Sequence, residues 1–361
     1  MARLLNVREK REDVVGMLRR AVQSSHLNWI IGSGCSSPAI DPLGNIEGVV
    51  AQLRAAGKVD DAQRKLFGFT KPFLDATLGM TGNPSGATRK TLDAYKSFLS
   101  ILTDILFERK SGILEKQATI FTTNYDLFIE KAFEEISTVA RLNDGFIRIP
   151  KLSGRFAFSP SEFFNAVENS GNIYNYVVRI PSINLVKLHG SLSWQEAQGK
   201  ILFNTDDHAS LLKEWSVINA RGDVKEMTRY CEKLPIVLPE AAKFEQTVLH
   251  QTYYELFRIF ANQLDKENVL LVAEGFSFQD AHVYDLTSRA LKNPTLILVI
   301  VCYKDEDRSI LEAMFAEHRN VFIVHSDQAE VSFEAFNDIL KAVLPGDHPT
   351  APADGSTRAG E

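Results

Sequence analysis

One recurrent punctuation constrains the fold more than any other feature of the chain. Four short apolar, β-rich runs, residues 27–31, 118–122, 183–188 and 269–273, each stop on small or polar residues. The stops are Gly32-Ser33-Gly34-Cys35-Ser36, Thr123-Asn124-Tyr125-Asp126, His189-Gly190-Ser191 and Glu274-Gly275-Phe276-Ser277. Runs of this length without apolar/polar alternation read as strands buried on both faces, the condition of a parallel sheet covered by helices. Helical periodicity fills the intervals. Val14, Val15, Leu18 and Val22 form one stripe within residues 8–25, and Leu92, Tyr95, Leu99, Leu102 and Leu106 form another within 87–110. Residues 43–56, 127–136, 244–264, 280–291, 308–318 and 328–344 read as further helices, and 295–302 and 321–324 as further strands. The alternation predicts an α/β fold with a mostly parallel sheet and helices on both faces.

Residues 57–112 read as a largely helical insertion, with 57–86 of mixed, glycine-bearing character. Two stretches, about 137–181 and 192–233, read as small-module segments: the first irregular, the second a hairpin around Gln198-Gly199 and then a charged helical stretch, 211–233. Residues 235–238 are expected to form a fourth short strand, before Pro239-Glu240. Residues 1–344 are expected to form one domain, and the Pro-, Gly-, Ala-, Ser- and Thr-rich stretch 345–361 a disordered tail.

Composition narrows the function classes. With 46 acidic and 40 basic side chains among 361 residues, the net charge of -6 offers no concentrated cationic face, so no direct nucleic-acid binding is expected. No apolar run approaches the roughly 18 residues needed to cross a bilayer, and no signal-type segment opens the chain, so no membrane association and a cytoplasmic location are expected. The three cysteines, Cys35, Cys231 and Cys302, form no C-x-x-C pair. They build neither a disulfide framework nor a zinc ribbon, no metal is expected, and a reducing compartment is implied.

The four clusters, taken in order, resemble the sirtuin family. The first looks like the sirtuin Gly-Ala-Gly-x-Ser turn, the second like Thr-Gln-Asn-Ile-Asp, the third like the strand ending in the catalytic His-Gly, and the fourth like Gly-Thr-Ser-Leu. The likeness runs from Leu27 to about Tyr303 and implies a Rossmann-like sirtuin fold, here with a helical insertion and no zinc ribbon. Departures from the family fall on the side that receives peptide. The four zinc cysteines are missing, Ser37-Pro38-Ala39-Ile40-Asp41-Pro42 replaces Gly-Ile-Pro-Asp-Phe-Arg, and Leu238-Pro239-Glu240 stands in place of Phe-Gly-Glu. That pattern is similar to the zinc-free sirtuin-like proteins of bacterial anti-phage defence, which cleave NAD to nicotinamide and ADP-ribose.

The resemblance implies a site. Asn124 would hold the nicotinamide ribose and position water, and His189 would bond the ribose hydroxyls and serve as general base. Cleavage through an oxocarbenium-like ribose needs alignment and charge stabilisation, which an amide, an imidazole and a phosphate cradle can supply. Gly32, Ser33, Gly34, Cys35 and Ser36 would cradle the pyrophosphate, Thr123 and Asp126 would belong to the same cofactor-binding edge, and Gly275 and Ser277 would lie toward the adenosine. NAD is thus expected as substrate. Plainer roles stand beside these: Asp126 and Asp280 are equally helix N-caps, Cys35 fits the turn as a small residue without an adjacent base, and Trp29 and Phe121 read as core. The implied activity is an NAD glycohydrolase that depletes NAD in abortive infection. A NAD-dependent protein deacylase or ADP-ribosyltransferase and a non-catalytic NAD- or ADP-ribose-sensing module are its alternatives. The resemblance also implies control by assembly, through homo-oligomerisation and a separate partner such as a HerA-type ATPase/helicase.

Overall fold

Burial on both faces fixes the centre of the molecule. The computed structural model describes residues 2–42, 46–84, 86–109, 114–149, 155–170, 177–239 and 251–344. In it β2 (His26–Ile31), β3 (Gln117–Thr122), β7 (Ser182–Lys187) and β10 (Val269–Glu274) lie side by side, all parallel, in the order β10-β2-β3-β7. The eight-stranded sheet continues on one side through β11 (Leu296–Val301), β12 (Val321–His325) and β1 (Arg3–Asn6), and on the other ends at β4 (Arg141–Asn143). This is a Rossmann-like α/β architecture with helices on both faces.

Side-chain alternation divides the core in two. Leu27, Trp29 and Ile31 of β2 share a face with Ala118 and Ile120, with Ile183 and Leu185, and with Leu270 and Val272. Ile30, Phe121, Val186, Leu271 and Ala273 point the opposite way into a second core. The first is covered by α1 (Arg11–Ser24), α4 (Gly86–Glu108), α5 (Phe128–Glu135) and α11 (Phe333–Lys341), and the second by α8 (Gln251–Leu264) and α9 (Ala281–Ala290). The remaining helices are α2 (Ile46–Ala55), α3 (Val59–Met80), α6 (His208–Arg221), α7 (Val224–Lys233) and α10 (Asp305–Met314).

Several local expectations change. Residues 57–86 are not mixed: α3 takes up most of them and runs through Gly68 and Pro72. An interior proline costs about 3 kcal/mol. Burial of Leu66, Phe67, Phe73 and Leu74, worth about 1.5–3 kcal/mol each, exceeds that cost, with Phe67 stacked on Trp215 of α6 at 4.8 Å. Residues 235–238 form no strand of the sheet. Ile236 instead makes a single antiparallel bridge to Gly190, because this short segment lies across the end of β7 and continues no ladder. The described parts of the 137–181 segment hold β4, a 3-10 turn at Pro160–Phe164 and the pair β5 (Glu168–Ser170) and β6 (Val177–Arg179). The hairpin forms as β8 (Trp194–Ala197) and β9 (Lys200–Phe203), joined by left-handed Gln198 (φ 54°) and Gly199 (φ 69°), the backbone a two-residue turn requires. Strand β1, which no sequence pattern marks, pairs with β12 at the sheet edge. The start of the 244–264 helix and the 345–361 tail lie outside the described residues. No helix among the described residues is long and apolar enough to cross a membrane.

Candidate active site

Because β10, β2, β3 and β7 are parallel neighbours, their polar stops emerge at one edge of the sheet. Sheet order also reverses here: the chain moves from β2 to β3 and β7, then returns to β10 on the other side of β2. Ligands of open α/β sheets bind outside the strand ends at such a switch point.

At the switch point two loops interlock through glycine. The Gly32 N–H donates to the Glu274 carbonyl at 2.9 Å and the Gly34 N–H to that of Gly275 at 3.0 Å. A Cβ on Gly32 would lie 2.2 Å from the Gly275 oxygen, and one on Gly34 2.8 Å from the Gly275 Cα. Gly275 is left-handed at φ 58° and would bring its own Cβ to 2.5 Å from the Cys35 nitrogen. These glycines are therefore demanded by backbone packing against backbone. The Cys35 N–H donates to the Gly32 carbonyl at 3.1 Å, so the Gly32, Gly34 and Cys35 amides are engaged within the protein. Ser33 and Ser277 are exposed, Thr123 is half-exposed and Ser36 is buried.

Beneath this turn, Ser36 is the hub of a buried network. Its hydroxyl donates to Asp126 Oδ2 at 2.8 Å and accepts from Asn124 Nδ2 at 3.2 Å and from the Tyr95 hydroxyl at 3.1 Å. One proton and two lone pairs are all used. Asn124 Nδ2 also donates to the Gly32 carbonyl at 3.0 Å, so both amide protons are spent on the first loop and Oδ1 is left as the acceptor. The Asn124 N–H donates to Thr122 Oγ1 at 3.0 Å, whose own hydroxyl donates to the Ile31 carbonyl at 2.8 Å and ties β3 to β2.

Asp126 lies one residue ahead of the N-cap of α5, Leu127, and its Oδ1 accepts from the Phe128 N–H at 3.2 Å. Burial pushes its carboxyl upward, against the pull of Lys187 and of the Ser36 and Phe128 donors. The buried Lys187 donates to the Asp126 carbonyl and lies 2.8 Å from Glu130 Oε1, whose carboxyl burial also pushes up. Burial, with Glu274 and Asp126 nearby, pushes the Cys35 thiol well up, so it stays protonated and acts as packing.

His189 is joined to this edge by its own strand: the Leu188 N–H donates to the Thr122 carbonyl at 2.8 Å. The His189 carbonyl accepts from the Val237 N–H at 2.8 Å, and Gly190 is left-handed at φ 84°, where a Cβ would meet the Pro235 oxygen at 2.1 Å. The imidazole is buried, with Nε2 3.2 Å from Asp280 Oδ2.

The structure thus brings Gly32, Gly34, Cys35, Ser36, Asn124, Asp126 and Gly275 into one contact network and sets His189 on the adjoining strand end. Ser277 takes no part in that network. Tyr95 and Glu130 are not singled out by the sequence, where only the periodic stripe containing Tyr95 points to it, and Lys187 opens the cluster that carries His189 without its partners being visible. Glu274 belonged to a quoted cluster, but its state was hidden. Its carboxyl is fully buried in phase with Leu270 and Val272, on the Trp29 face, and burial pushes it up to about 8. The Trp29 indole N–H faces it without a formed hydrogen bond, and neither carboxyl oxygen has another partner among the described residues. Tyr303, at the next strand end, donates its hydroxyl to Glu330 Oε2 at 2.6 Å. Among the described residues no group of His, Cys, Asp and Glu is placed to hold a metal ion, and the three cysteines are free and buried.

A family model described as SIR2-like domain matches residues 118–323, more than half of the chain. None of the curated proteins compared with the chain matches it.

Proposed function

The chain belongs to the SIR2-like domain family, and from that premise we propose that it is an NAD glycohydrolase. Membership itself implies NAD binding and an NAD-related activity. The observation that carries the finer reading is the amide of Asn124, locked through Gly32 and Ser36 with its oxygen left as acceptor, on the strand end next to that of His189.

In this reading water adds to C1 of the nicotinamide ribose as the bond from C1 to the pyridinium nitrogen breaks. The bond's electron pair goes to that nitrogen, neutral nicotinamide leaves, and His189 accepts the proton of the incoming water. Asn124 Oδ1 aligns ribose or water, and the rigid network behind it keeps that alignment without reorganisation. The exposed Ser33 hydroxyl is the first donor a pyrophosphate meets, while the interlocked glycines hold the loop flush with the sheet edge. The widely spaced Cys35, Cys231 and Cys302 cannot form the four-cysteine ribbon of peptide-deacylating relatives, which supports hydrolysis over deacylation.

An enzyme that destroys NAD must stay silent until triggered. We assign its control to homo-oligomerisation and a separate partner of the HerA ATPase/helicase type, its setting to the cytoplasm, and its role to NAD depletion in anti-phage defence. The test incubates the protein with NAD, with and without that partner and an acetyl-lysine peptide, and follows nicotinamide, ADP-ribose and deacetylated peptide. Nicotinamide release without peptide is expected. Release only with peptide replaces this reading by a deacylase, and binding without turnover under every assembly condition replaces it by a sensor. Asn124→Ala or His189→Ala is expected to abolish release in a folded protein.

A further inference from the structure

His189 follows β7 and Asp280 opens α9, two elements whose strands are separated in the sheet by β2 and β3. At about 4.8 Å per strand, β7 and β10 stand about 14 Å apart. Their loops nevertheless converge over the ends of β2 and β3, bringing Asp280 Oδ2 to 3.2 Å from His189 Nε2 with both side chains under a tenth exposed.

The approach is built from both sides. Asp280 Oδ1 accepts the N–H groups of His282 and Val283 at 3.1 Å each, so the first turn of α9 fixes the carboxylate. Two residues earlier, Phe278 is left-handed at φ 56°, unusual for a bulky residue, and it is held there by burial of its ring against Phe276 and Phe315 at 5.0 Å each. The Phe257 ring of α8 lies 6.1 Å from both the His189 and His282 rings. A helix N-cap needs one acceptor oxygen, which Asn or Ser supplies as well as Asp. Capping therefore accounts for Oδ1 alone, and the second oxygen lies 3.2 Å from the buried imidazole nitrogen as an ion-pair contact whose angle falls short of a hydrogen bond.

We propose that Asp280 is a positioning residue for His189, accepting its Nε2–H and stabilising the imidazolium formed when the ring takes a proton. The neutral ring then carries its proton on Nε2 and its lone pair on Nδ1. The same Asp280 side chain starts α9, so the base and the helix behind the adenosine-side loop are set by one group. This inference rests on the reading of His189 as the base of the site.

The test compares Asp280→Asn, which keeps size and cap but removes the carboxylate, with Asp280→Ser, which caps without reaching the ring. The first readout is ¹⁵N spectroscopy of histidine-labelled protein, with His189 assigned by loss of its signals in His189→Gln. The wild-type ring is expected in the Nε2–H form, with an imidazolium that persists to higher pH than in either variant. The second is kcat for nicotinamide release, expected to fall about 100-fold in Asp280→Asn with KM nearly unchanged and the melting temperature retained. An Nδ1–H ring in the wild type, or the same tautomer, titration and kcat in all three proteins, overturns the proposal. If the wild type releases no nicotinamide under any assembly condition, the hydrolase reading fails, and the spectra alone still decide the His189–Asp280 pair.

Discussion

Replacing Glu274 by Gln probes how β10 is held where its loop meets the glycine turn. The Glu274 carboxyl is 1% exposed, and burial moves it from 4.5 to about 8, opposed by the Trp29 indole. In the unfolded chain the same group titrates near 4.5. Between these values the folded protein holds a proton that the unfolded chain has released, so stability is full below the unfolded value and is lost as pH rises toward the folded one. The slope is roughly 1.4 kcal/mol per pH unit, which places the loss at pH 7 on the order of 3 kcal/mol. Glutamine has the shape of the neutral carboxyl and no such titration. Urea unfolding of both proteins at a series of pH values from about 5 to 8.5 is the assay. The curves are expected to run close together at the acid end and diverge as pH rises, with Glu274→Gln the more stable at pH 7 by on the order of 3 kcal/mol. The raised carboxyls of Asp126, Glu130 and Asp144 slope the same way in both proteins and cancel in the difference. Parallel curves would refute the reasoning, because they would mean that Glu274 loses its proton as readily folded as unfolded. The Glu274 carbonyl holds the Gly32 N–H, so ionisation of its side chain is also expected to weaken NAD binding at the alkaline end.

Three further outcomes follow from the same geometry. Gly275→Ala combines a left-handed backbone with a 2.5 Å approach to the Cys35 nitrogen, whereas Gly57→Ala, at φ 72°, meets nothing within 4 Å. The first is expected to lose about 2–5 kcal/mol in chemical denaturation and the second about 1–2 kcal/mol. Lys187→Met strands the buried Glu130 carboxylate, a loss of about 3–5 kcal/mol in the same assay, and adding Glu130→Gln is expected to restore most of it. All three thiols are buried, with Cys35 held protonated and Cys302 pushed up to about 11, so a thiol reagent should titrate them in urea but not in the native protein at pH 8.

The sheet and its polar edge were legible because strands buried on both faces leave an unmistakable apolar run, and because each run stops abruptly. Asn124, His189 and the glycine turn were found by position on those stops. What escaped has a common physical cause: it depends on partners distant in sequence. Arg3–Asn6, with only Leu4 and Leu5 apolar, is too short to read as a strand until β12 supplies its ladder. Helix α3 survives Pro72 through packing on α2, α6 and α7. Asp280 reads as a cap from its place before a helix, and that reading is correct for one oxygen. The approach of the other to His189 requires two loops to cross over two intervening strands, which no local pattern encodes. Likewise a glutamate at a strand end reads as a solvent-facing stop until the Trp29 face closes over it.

The pairing of β1 with β12 sets an order on the protein's own synthesis. Arg3 lies opposite Phe322, so almost the whole chain must leave the ribosome before the first strand meets its partner. At roughly 5–20 residues per second that wait is roughly 15–60 s. Throughout it the segment Arg3–Asn6 is unpaired, and when β12 arrives it is briefly a bare, apolar sheet edge. Closure by β1 covers that edge with a four-residue strand that opens on the exposed Arg3, a short and charged edge less open to edge-to-edge aggregation. A bulky fusion immediately before Arg3 is expected to interfere at that step and lower the yield of folded protein, while the polar edge formed by β10, β2, β3 and β7 keeps its geometry.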